Sequence, residues 1–369
     1  MNVVPIADPR ATLLGARGEL LAAFETVLDS GRYIDGSQVP AFERDWAARC
    51  GVAHAVGVSS GTDALALALR AVGVGPGDEV LVPAMTAVAT WMAVSQIGAI
   101  PVGVDIEPDR FGMAPDLARA ALTPRCKALV AVHLFGHPAD IQRLKAVADE
   151  AEIALVEDAA QAHLARLVNR PVGSLGAIAA FSFYPTKNLG AMGDAGAVTT
   201  DDPALADRVR LLREYGWRTR ADAELKGVNA RLDEIQAAIL RVMLARVETT
   251  SARRRALVER YLQGLNDTPE LALPVTVPGS DPAWHQFVVR HPRRDALAAA
   301  LASAHIQTAI HYRPPPPLNT AYRADGWRSA DFPVAARHAD TALSLPLHPS
   351  LTDEQVDRVV DAVREFSTG

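Results

Sequence analysis

The chain has 369 residues, a formal net charge of −6 and two cysteines, Cys50 and Cys126. Its length suits two domains, and its hydrophobic content of 49% can fill buried cores, which argues against a disordered protein. The negative balance argues against nucleic acid as the main partner, and two cysteines cannot form a disulfide framework. Neither a secretory leader nor an apolar run long enough to cross a membrane is visible, so a cytoplasmic location is expected.

The first two thirds of the chain alternate between predicted strands and helices. Helices are predicted at 11–30, 39–50, 64–72, 86–98, 115–122 and 138–151, and strands at 52–58, 79–82, 100–104, 127–134, 153–156, 180–184 and 196–200. This alternation is typical of βαβ units and predicts an α/β fold with a mostly parallel, doubly wound sheet. Ligands of such sheets bind beyond the carboxyl ends of the strands.

The pattern changes in the last third of the chain, where a smaller α+β domain is predicted. A long helix is expected at 232–265, strands at 285–290 and 307–311, and further helices at 294–304, 333–343 and 352–366. The predicted division is an N-terminal segment with a large domain over 1–245 and a small C-terminal domain over 246–369.

Lys187 is the first candidate for chemistry. It follows a strand that Pro185 ends, and it lies in an apolar, glycine-rich loop with no acidic residue within six positions on either side. A poorly hydrated lysine is more easily deprotonated, and a neutral amine can condense with a carbonyl group. A lysine in such a loop is more often simply exposed, so the assignment depends on other motifs.

Two other motifs lie at predicted strand ends. In Ser60-Gly61-Thr62-Asp63 a strand meets a helix, which suits a bound anion, although helix capping alone would also explain it. Glu157 and Asp158 end a buried strand, where two acids must be paired, solvated or functional. A lysine, an aspartate for a protonated pyridine nitrogen and a phosphate cradle together meet the needs of pyridoxal 5′-phosphate. No metal site is predicted.

Four motifs resemble those of one family in order and spacing. They are GTDAL at 61–65, EDAAQAH at 157–163, FSFYPTKNLG at 181–190 and NARLDE at 229–234. The chain resembles the DegT/DnrJ/EryC1/StrS family of sugar aminotransferases, and the resemblance covers nearly its whole length. It implies an aspartate aminotransferase-like fold, the type I fold of pyridoxal-phosphate enzymes.

The resemblance also implies roles for individual residues toward the cofactor. Lys187 would bind it covalently and carry protons, Asp158 would pair with its pyridine nitrogen, and Gln161 would contact its phenolic oxygen. The phosphate would be held by the amides of Gly61 and Thr62 together with Ser182. Asn229 would reach the phosphate in the neighbouring subunit, which implies a homodimer with shared active sites.

Resemblance within the family points to enzymes that aminate C3 of dTDP-linked 3-keto-6-deoxysugars, with glutamate as donor, in the biosynthesis of antibiotic deoxyaminosugars. The residues assigned to the substrate are Tyr184, Arg231, His311 and Tyr312. A capped strand end is the structural alternative for the last two. The alternative functions are amination at C4 of a 4-keto sugar, a sugar dehydratase, which a lysine at 187 disfavours, and a non-catalytic regulator.

One departure from the family concerns the face of the pyridine ring. An aromatic residue usually follows the threonine at position 86, but this chain has Ala87. Trp91 lies four residues further on, hence on the same face of a helix if both belong to it. We therefore predict that Trp91 supplies the stacking plane from one turn away.

Overall fold

A computed structural model describes residues 2–368. Its helices are α1 (Pro9–Leu14), α2 (Arg17–Ser30), α3 (Gln38–Cys50), α4 (Gly61–Ala71), α5 (Val88–Gln96), α6 (Pro115–Ala120), α7 (Ile141–Glu150), α8 (Pro203–Arg213), α9 (Glu234–Leu244), α10 (Val247–Leu265), α11 (Arg294–Ser303), α12 (Thr320–Arg323), α13 (Pro333–Thr341) and α14 (Asp353–Thr368). Its strands are β1 (His54–Val58), β2 (Glu79–Pro83), β3 (Ile100–Val104), β4 (Cys126–Val132), β5 (Ala154–Asp158), β6 (Arg166–Leu167), β7 (Arg170–Pro171), β8 (Ile178–Ser182), β9 (Gly196–Thr200), β10 (Trp217–Thr219), β11 (Asp222–Ala223), β12 (Ser280–Asp281), β13 (Phe287–Arg290) and β14 (Ala342–Leu345).

The central feature is a large sheet with the strand order β1-β9-β8-β5-β4-β2-β3. All its pairings are parallel except those of β9, which runs antiparallel to both β8 and β1. Strands such as β2 and β4 are apolar nearly throughout, because helices cover both faces of a parallel sheet. The prediction of an α/β fold with a mostly parallel sheet is confirmed.

A second, two-stranded sheet pairs β13 with β14 and lies among α10, α11 and α14. The N-terminal segment also belongs to this part of the molecule. The Val4 amide donates to the carbonyl oxygen of His305 at 2.9 Å, and the Val4 carbonyl accepts from the Gln307 amide at 2.9 Å. Val4 is fully buried in the same core as Ile306, so this short bridge fastens the N-terminal segment to the C-terminal part.

Three predicted elements differ from the structure. The long helix is divided, because Ala245 and Arg246 form a turn between α9 and α10, in which the Arg246 amide donates to the Met243 carbonyl oxygen at 3.0 Å. The strand expected at 307–311 is wrong: only Ala309 bridges, to Ser344. Residues 342–345, expected near a helix end, instead form β14 beside β13.

The predicted domain boundary falls at the break between α9 and α10. Beyond it, however, Tyr322, Phe332 and Ala339 pack into the core of the large sheet, whereas Val4 joins the core around the small sheet. The division at 245/246 thus stays a prediction.

Candidate active site

A cavity of about 350 Å³ lies at the carboxyl ends of β4, β5 and β8, where α4 begins. Residues from the C-terminal part, 285–286 and 311–312, complete its wall. Of the residues predicted from the sequence, the cavity brings together Gly61, Thr62, Asp158, Gln161, Ser182, Tyr184, Lys187, His311 and Tyr312. The position is the one expected for a ligand of a parallel sheet.

One end of the cavity is formed by the first turn of α4 against the end of β8. The Ser60 hydroxyl caps the helix by accepting from the Asp63 amide at 3.1 Å. A β-carbon at Gly61 would collide with the Ser182 side chain, so only glycine allows the start of α4 to approach the end of β8 this closely. Unpaired amides of a helix N-terminus beside a serine hydroxyl fit a phosphate group.

Asp158 presents its carboxylate to the cavity from the end of β5. Its Oδ2 accepts from the Thr90 hydroxyl at 2.8 Å, and its Oδ1 accepts from the Ala160 amide at 3.2 Å. The Thr90 hydroxyl lies 2.8 Å from that of Thr86, and both threonines are buried. These contacts fix the orientation of the carboxylate, as required of a group that pairs with a protonated ring nitrogen.

The neighbouring acid, Glu157, has a structural role instead. Successive side chains of a strand point to opposite faces, so Glu157 faces away from Asp158. It accepts from the Gly173, Leu175 and Gly176 amides at 2.7–2.9 Å and lies 3.0 Å from His133 Nε2. Although burial would raise the pKa of this carboxyl, the hydrogen bonds from His133 and the backbone lower it below its usual value.

Gln161 connects the sheet to the C-terminal part of the chain. Its Oε1 accepts from the Phe135 amide at 2.6 Å, and its Nε2 donates to the Tyr312 hydroxyl at 2.9 Å. The neighbouring His311 lies 2.8 Å from the Ser344 hydroxyl. Burial and the Lys187 charge lower the pKa of His311 to about 4, so it is neutral at pH 7.

Lys187 follows β8, and its amide donates to the Tyr184 carbonyl oxygen at 2.8 Å, which forms a tight turn. Burial lowers the pKa of its side-chain amine to about 8, and the Asp158 carboxylate opposes this shift. A large fraction of the amine is therefore neutral near pH 8 and can attack a carbonyl group. The lowered pKa agrees with the prediction that Lys187, in apolar surroundings, is more easily deprotonated than an exposed lysine.

The structure contradicts the stacking role predicted for Trp91. Helix α5 begins at Val88, and Ala87 before it has an extended backbone (φ −64°, ψ 142°), so the two residues do not share a helical face. The Trp91 side chain is 0% exposed, its Nε1 donates to the Pro83 carbonyl oxygen at 3.0 Å, and its ring packs against that of Tyr322. Trp91 is a core residue outside the cavity.

Asn229 and Arg231 are not brought to this cavity within one chain. Asn229 is exposed. The Arg231 guanidinium pairs with Glu214 at 3.4 Å, packs over the Tyr215 ring and lines a different depression.

Sequence reasoning missed several residues that complete the cavity. Thr90 and Gln286 line it, and His285, 3.2 Å from the Asn188 side-chain oxygen, holds the loop that carries Lys187. Thr90 carried a signal, because in the predicted helix 86–98 it follows Thr86 by one turn; the other contacts join residues distant in sequence. Across residues 2–368 no cluster of three His, Cys, Asp or Glu side chains is suited to a metal ion. No helix of the described chain is long and apolar enough to span a membrane.

The residues present fit pyridoxal 5′-phosphate. A lysine of lowered pKa, an oriented aspartate and an open helix N-terminus line one cavity. They correspond to the carbonyl, the ring nitrogen and the phosphate of that cofactor.

Comparison with known proteins assigns the chain to one family. Residues 16–364 match the model of the DegT/DnrJ/EryC1/StrS aminotransferase family. The dTDP-3-amino-3,4,6-trideoxy-alpha-D-glucose transaminase of Streptomyces venezuelae is 50% identical over 99% of this chain and 96% of the relative. The erythromycin biosynthesis sensory transduction protein EryC1 of Saccharopolyspora erythraea is 49% identical over 98% of this chain and 99% of the relative.

Solved structures agree with this relationship. The crystal structure of S. venezuelae DesV, in complex with a ketimine intermediate, superposes with a TM-score of 0.98 at 49% identity, and the match covers 100% of both chains. This similarity confirms the predicted type I fold. The chain belongs to the DegT/DnrJ/EryC1/StrS aminotransferase family and is a pyridoxal-phosphate-dependent transaminase.

Proposed function

We propose that this protein transfers the amino group of glutamate to C3 of a dTDP-linked 3-keto-6-deoxysugar, in the biosynthesis of a deoxyaminosugar. The observation that carries the proposal is the position of Lys187, whose amine has a lowered pKa and lines the same cavity as the oriented Asp158 carboxylate. The sugar follows from the relatives, because those at 50% and 45% identity are both named for dTDP-3-amino-3,4,6-trideoxy-glucose.

Bound pyridoxal phosphate would hold the amino group between the two half-reactions and withdraw electrons from the carbon that loses its proton. The protein's own groups position and transfer protons. Because the pKa of the Lys187 amine is about 8, the amine can accept a proton from the substrate and return it. The Asp158 carboxylate would keep a proton on the ring nitrogen, and the α4 N-terminus with Ser182 would hold the phosphate.

The sugar nucleotide would enter past Tyr184, which is half-exposed at the cavity wall, while His311 and Tyr312 face it from the C-terminal part. A non-catalytic regulatory role is the alternative, and EryC1 is named a sensory transduction protein. This role is disfavoured because Lys187, Asp158 and Ser182 line one cavity.

The proposal predicts which keto sugar is converted. Holoenzyme with glutamate is expected to aminate a dTDP-3-keto-6-deoxyhexose far faster than the corresponding 4-keto sugar, and mass spectrometry with NMR identifies the aminated carbon. Faster conversion of the 4-keto sugar would instead assign the enzyme to C4 amination. A chain that transaminates neither sugar, although glutamate converts its cofactor, would contradict the nucleotide-sugar assignment.

We also propose a cytoplasmic homodimer with shared active sites. Asn229, assigned to a phosphate, is exposed and absent from its own chain's cavity. Leu21, Phe24 and Leu28 on α2 are about half exposed, an apolar surface that a second copy would cover. A dimer in which each Asn229 reaches the partner's cavity accounts for both features.

Mixing two defective variants tests the shared site. Loss of a hydrogen bond to a phosphate costs about 1.5–3 kcal/mol, so Asn229→Ala should be impaired and Lys187→Ala inactive. In a heterodimer one site carries both defects and the other neither, so co-refolding the two should raise turnover above either parent.

The matched control pairs Lys187→Ala with Asp158→Asn. Both residues line the cavity of a single chain, so every site of that heterodimer retains one defect and no recovery is expected. If the Asn229→Ala mixture also fails to exceed its better parent, Asn229 does not act across the interface.

A further inference from the structure

A second cavity, of about 210 Å³, adjoins the first and shares Lys187 with it. Its wall includes the N-terminal segment from Ile6 to Leu13, Arg254 of α10 and residues around β14. The two cavities share Thr186, Lys187, His285, Gln286 and His311. A molecule in the second cavity would therefore be within reach of the same amine as a molecule in the first.

Arg254 gives this cavity its chemical character. Its side chain is buried, 5% exposed, and its Nη1 donates to the carbonyl oxygens of Trp284, His285 and Leu347 at 3.1–3.3 Å. Within residues 2–368 its Nε and Nη2 donate no hydrogen bond, and both atoms keep some exposure in a side chain that lines the cavity. No carboxylate of the described chain pairs with this guanidinium, although buried charges are normally paired.

The other titratable groups of the cavity leave that positive charge unbalanced. Burial lowers the pKa values of His285, His311 and His348 below the usual histidine value, so these rings are neutral at pH 7. The one acid on the wall, Asp8, is engaged at the start of α1, where its Oδ1 accepts from the Ala11 amide at 2.8 Å. Arg254 thus offers free donors and a buried charge next to Lys187.

We infer that this second cavity is the subsite for the amino donor and that Arg254 binds a carboxylate of that donor. The inference rests on the proposed function in that it assumes an amino acid as donor. In an amino acid the amine lies close to a carboxylate. A donor whose amine reacts next to Lys187 can therefore place that carboxylate in the second cavity, against Arg254. Charge-assisted hydrogen bonds from a guanidinium are among the strongest available to a carboxylate.

The inference predicts that replacing Arg254 impairs the half-reaction with the amino donor and spares the half-reaction with the sugar. In Arg254→Met holoenzyme, the glutamate half-reaction, followed by the absorbance change of the cofactor, should lose about 10- to 100-fold in kcat/KM. The half-reaction with the dTDP-3-amino sugar should change less than about twofold. Glutarate, an unreactive dicarboxylate, should bind wild-type holoenzyme in calorimetric titration and bind the variant more weakly by a similar factor.

Two further variants keep the test decisive. Arg255→Met removes an arginine from the next position of the same helix, outside the cavity wall, and should leave both half-reactions and glutarate binding unchanged. Because Arg254 also holds three carbonyl groups, Arg254→Met could fail to fold. In that case Ala309→Leu, which narrows the second cavity and retains Arg254, should impair the glutamate half-reaction selectively.

Unchanged glutamate and glutarate binding in a folded Arg254→Met or Ala309→Leu protein would overturn the subsite. Equal losses in both half-reactions would also overturn it, because they would indicate a structural role only. A wild-type enzyme that reacts with glutamate but with no dTDP-3-amino sugar would contradict the proposed sugar substrate and leave the donor assignment intact.

Discussion

Replacing Lys187 with alanine is expected to abolish covalent cofactor binding and to lower turnover by at least about 10³-fold. The amine is the only nucleophile that we assign to the site and also its proton carrier, so one substitution removes both functions. Purified wild-type protein should show the long-wavelength absorbance of lysine-bound pyridoxal phosphate, and borohydride should fix the cofactor to the chain. The variant should show neither, and mass spectrometry of the reduced proteins measures the difference directly.

Lys145→Ala is the matched control, because this exposed lysine of α7 pairs with Asp149 at 2.7 Å and is not part of the cavity wall. It should retain the wild-type spectrum and turnover. A Lys187→Ala protein that still transaminates would show that another amine is the nucleophile.

Replacing Asp158 with asparagine is expected to be the next most damaging change. The substitution keeps the size of the side chain but removes the charge that would hold a proton on the ring nitrogen. Loss of one member of a buried ion pair costs about 3–5 kcal/mol, so turnover should fall by about 10²–10⁴-fold. Turnover of holoenzyme with glutamate and the keto sugar measures the effect.

Thr90→Val provides a graded comparison, because it removes only the 2.8 Å hydrogen bond to Asp158 and keeps the charge. A loss of about 1 kcal/mol, or roughly fivefold, is expected. Equal activity losses in both variants would indicate that the position of the carboxylate matters and its charge does not.

Cofactor-free protein offers an independent measurement of the same carboxylate. Asp158 favours the protonated form of Lys187, whose pKa is about 8, so its removal should lower that pKa further. Capture of added pyridoxal phosphate rises with pH as the amine deprotonates. In Asp158→Asn the midpoint of this rise should therefore lie at lower pH than in wild-type protein.

Much of the site could be predicted because its residues lie in short motifs at strand ends. The alternation of strands and helices predicted a parallel sheet, and parallel strands bring their carboxyl ends to one edge. Gly61, Asp158 and Lys187 meet there for that reason. Arg254, by contrast, carried no local signal: its neighbours on α10 are also arginines, which are only partly buried, and its own burial results from long-range packing against 284–285 and 347.

The errors also have physical causes. Whether Ala87 and Trp91 share a face depended on where α5 begins, and a start at Val88 instead of Thr86 removes that relation. The segment at 307–311 has the alternating pattern of a strand, but a strand needs a partner along its length. The small sheet instead uses β14, next to β13, and leaves Ala309 with a single bridge to Ser344.

The bridge that Val4 forms with residues 305 and 307 has a consequence for biosynthesis on the ribosome. The Ile6 amide, two residues further on, donates to a Gln307 side chain 301 positions away in sequence. These residues leave the ribosome long before their partners are translated. At about 5–20 residues per second, they wait roughly 15–60 s before the contact can form. The core around Val4 therefore closes late, after all strands of the large sheet, which end at Thr200, have been translated.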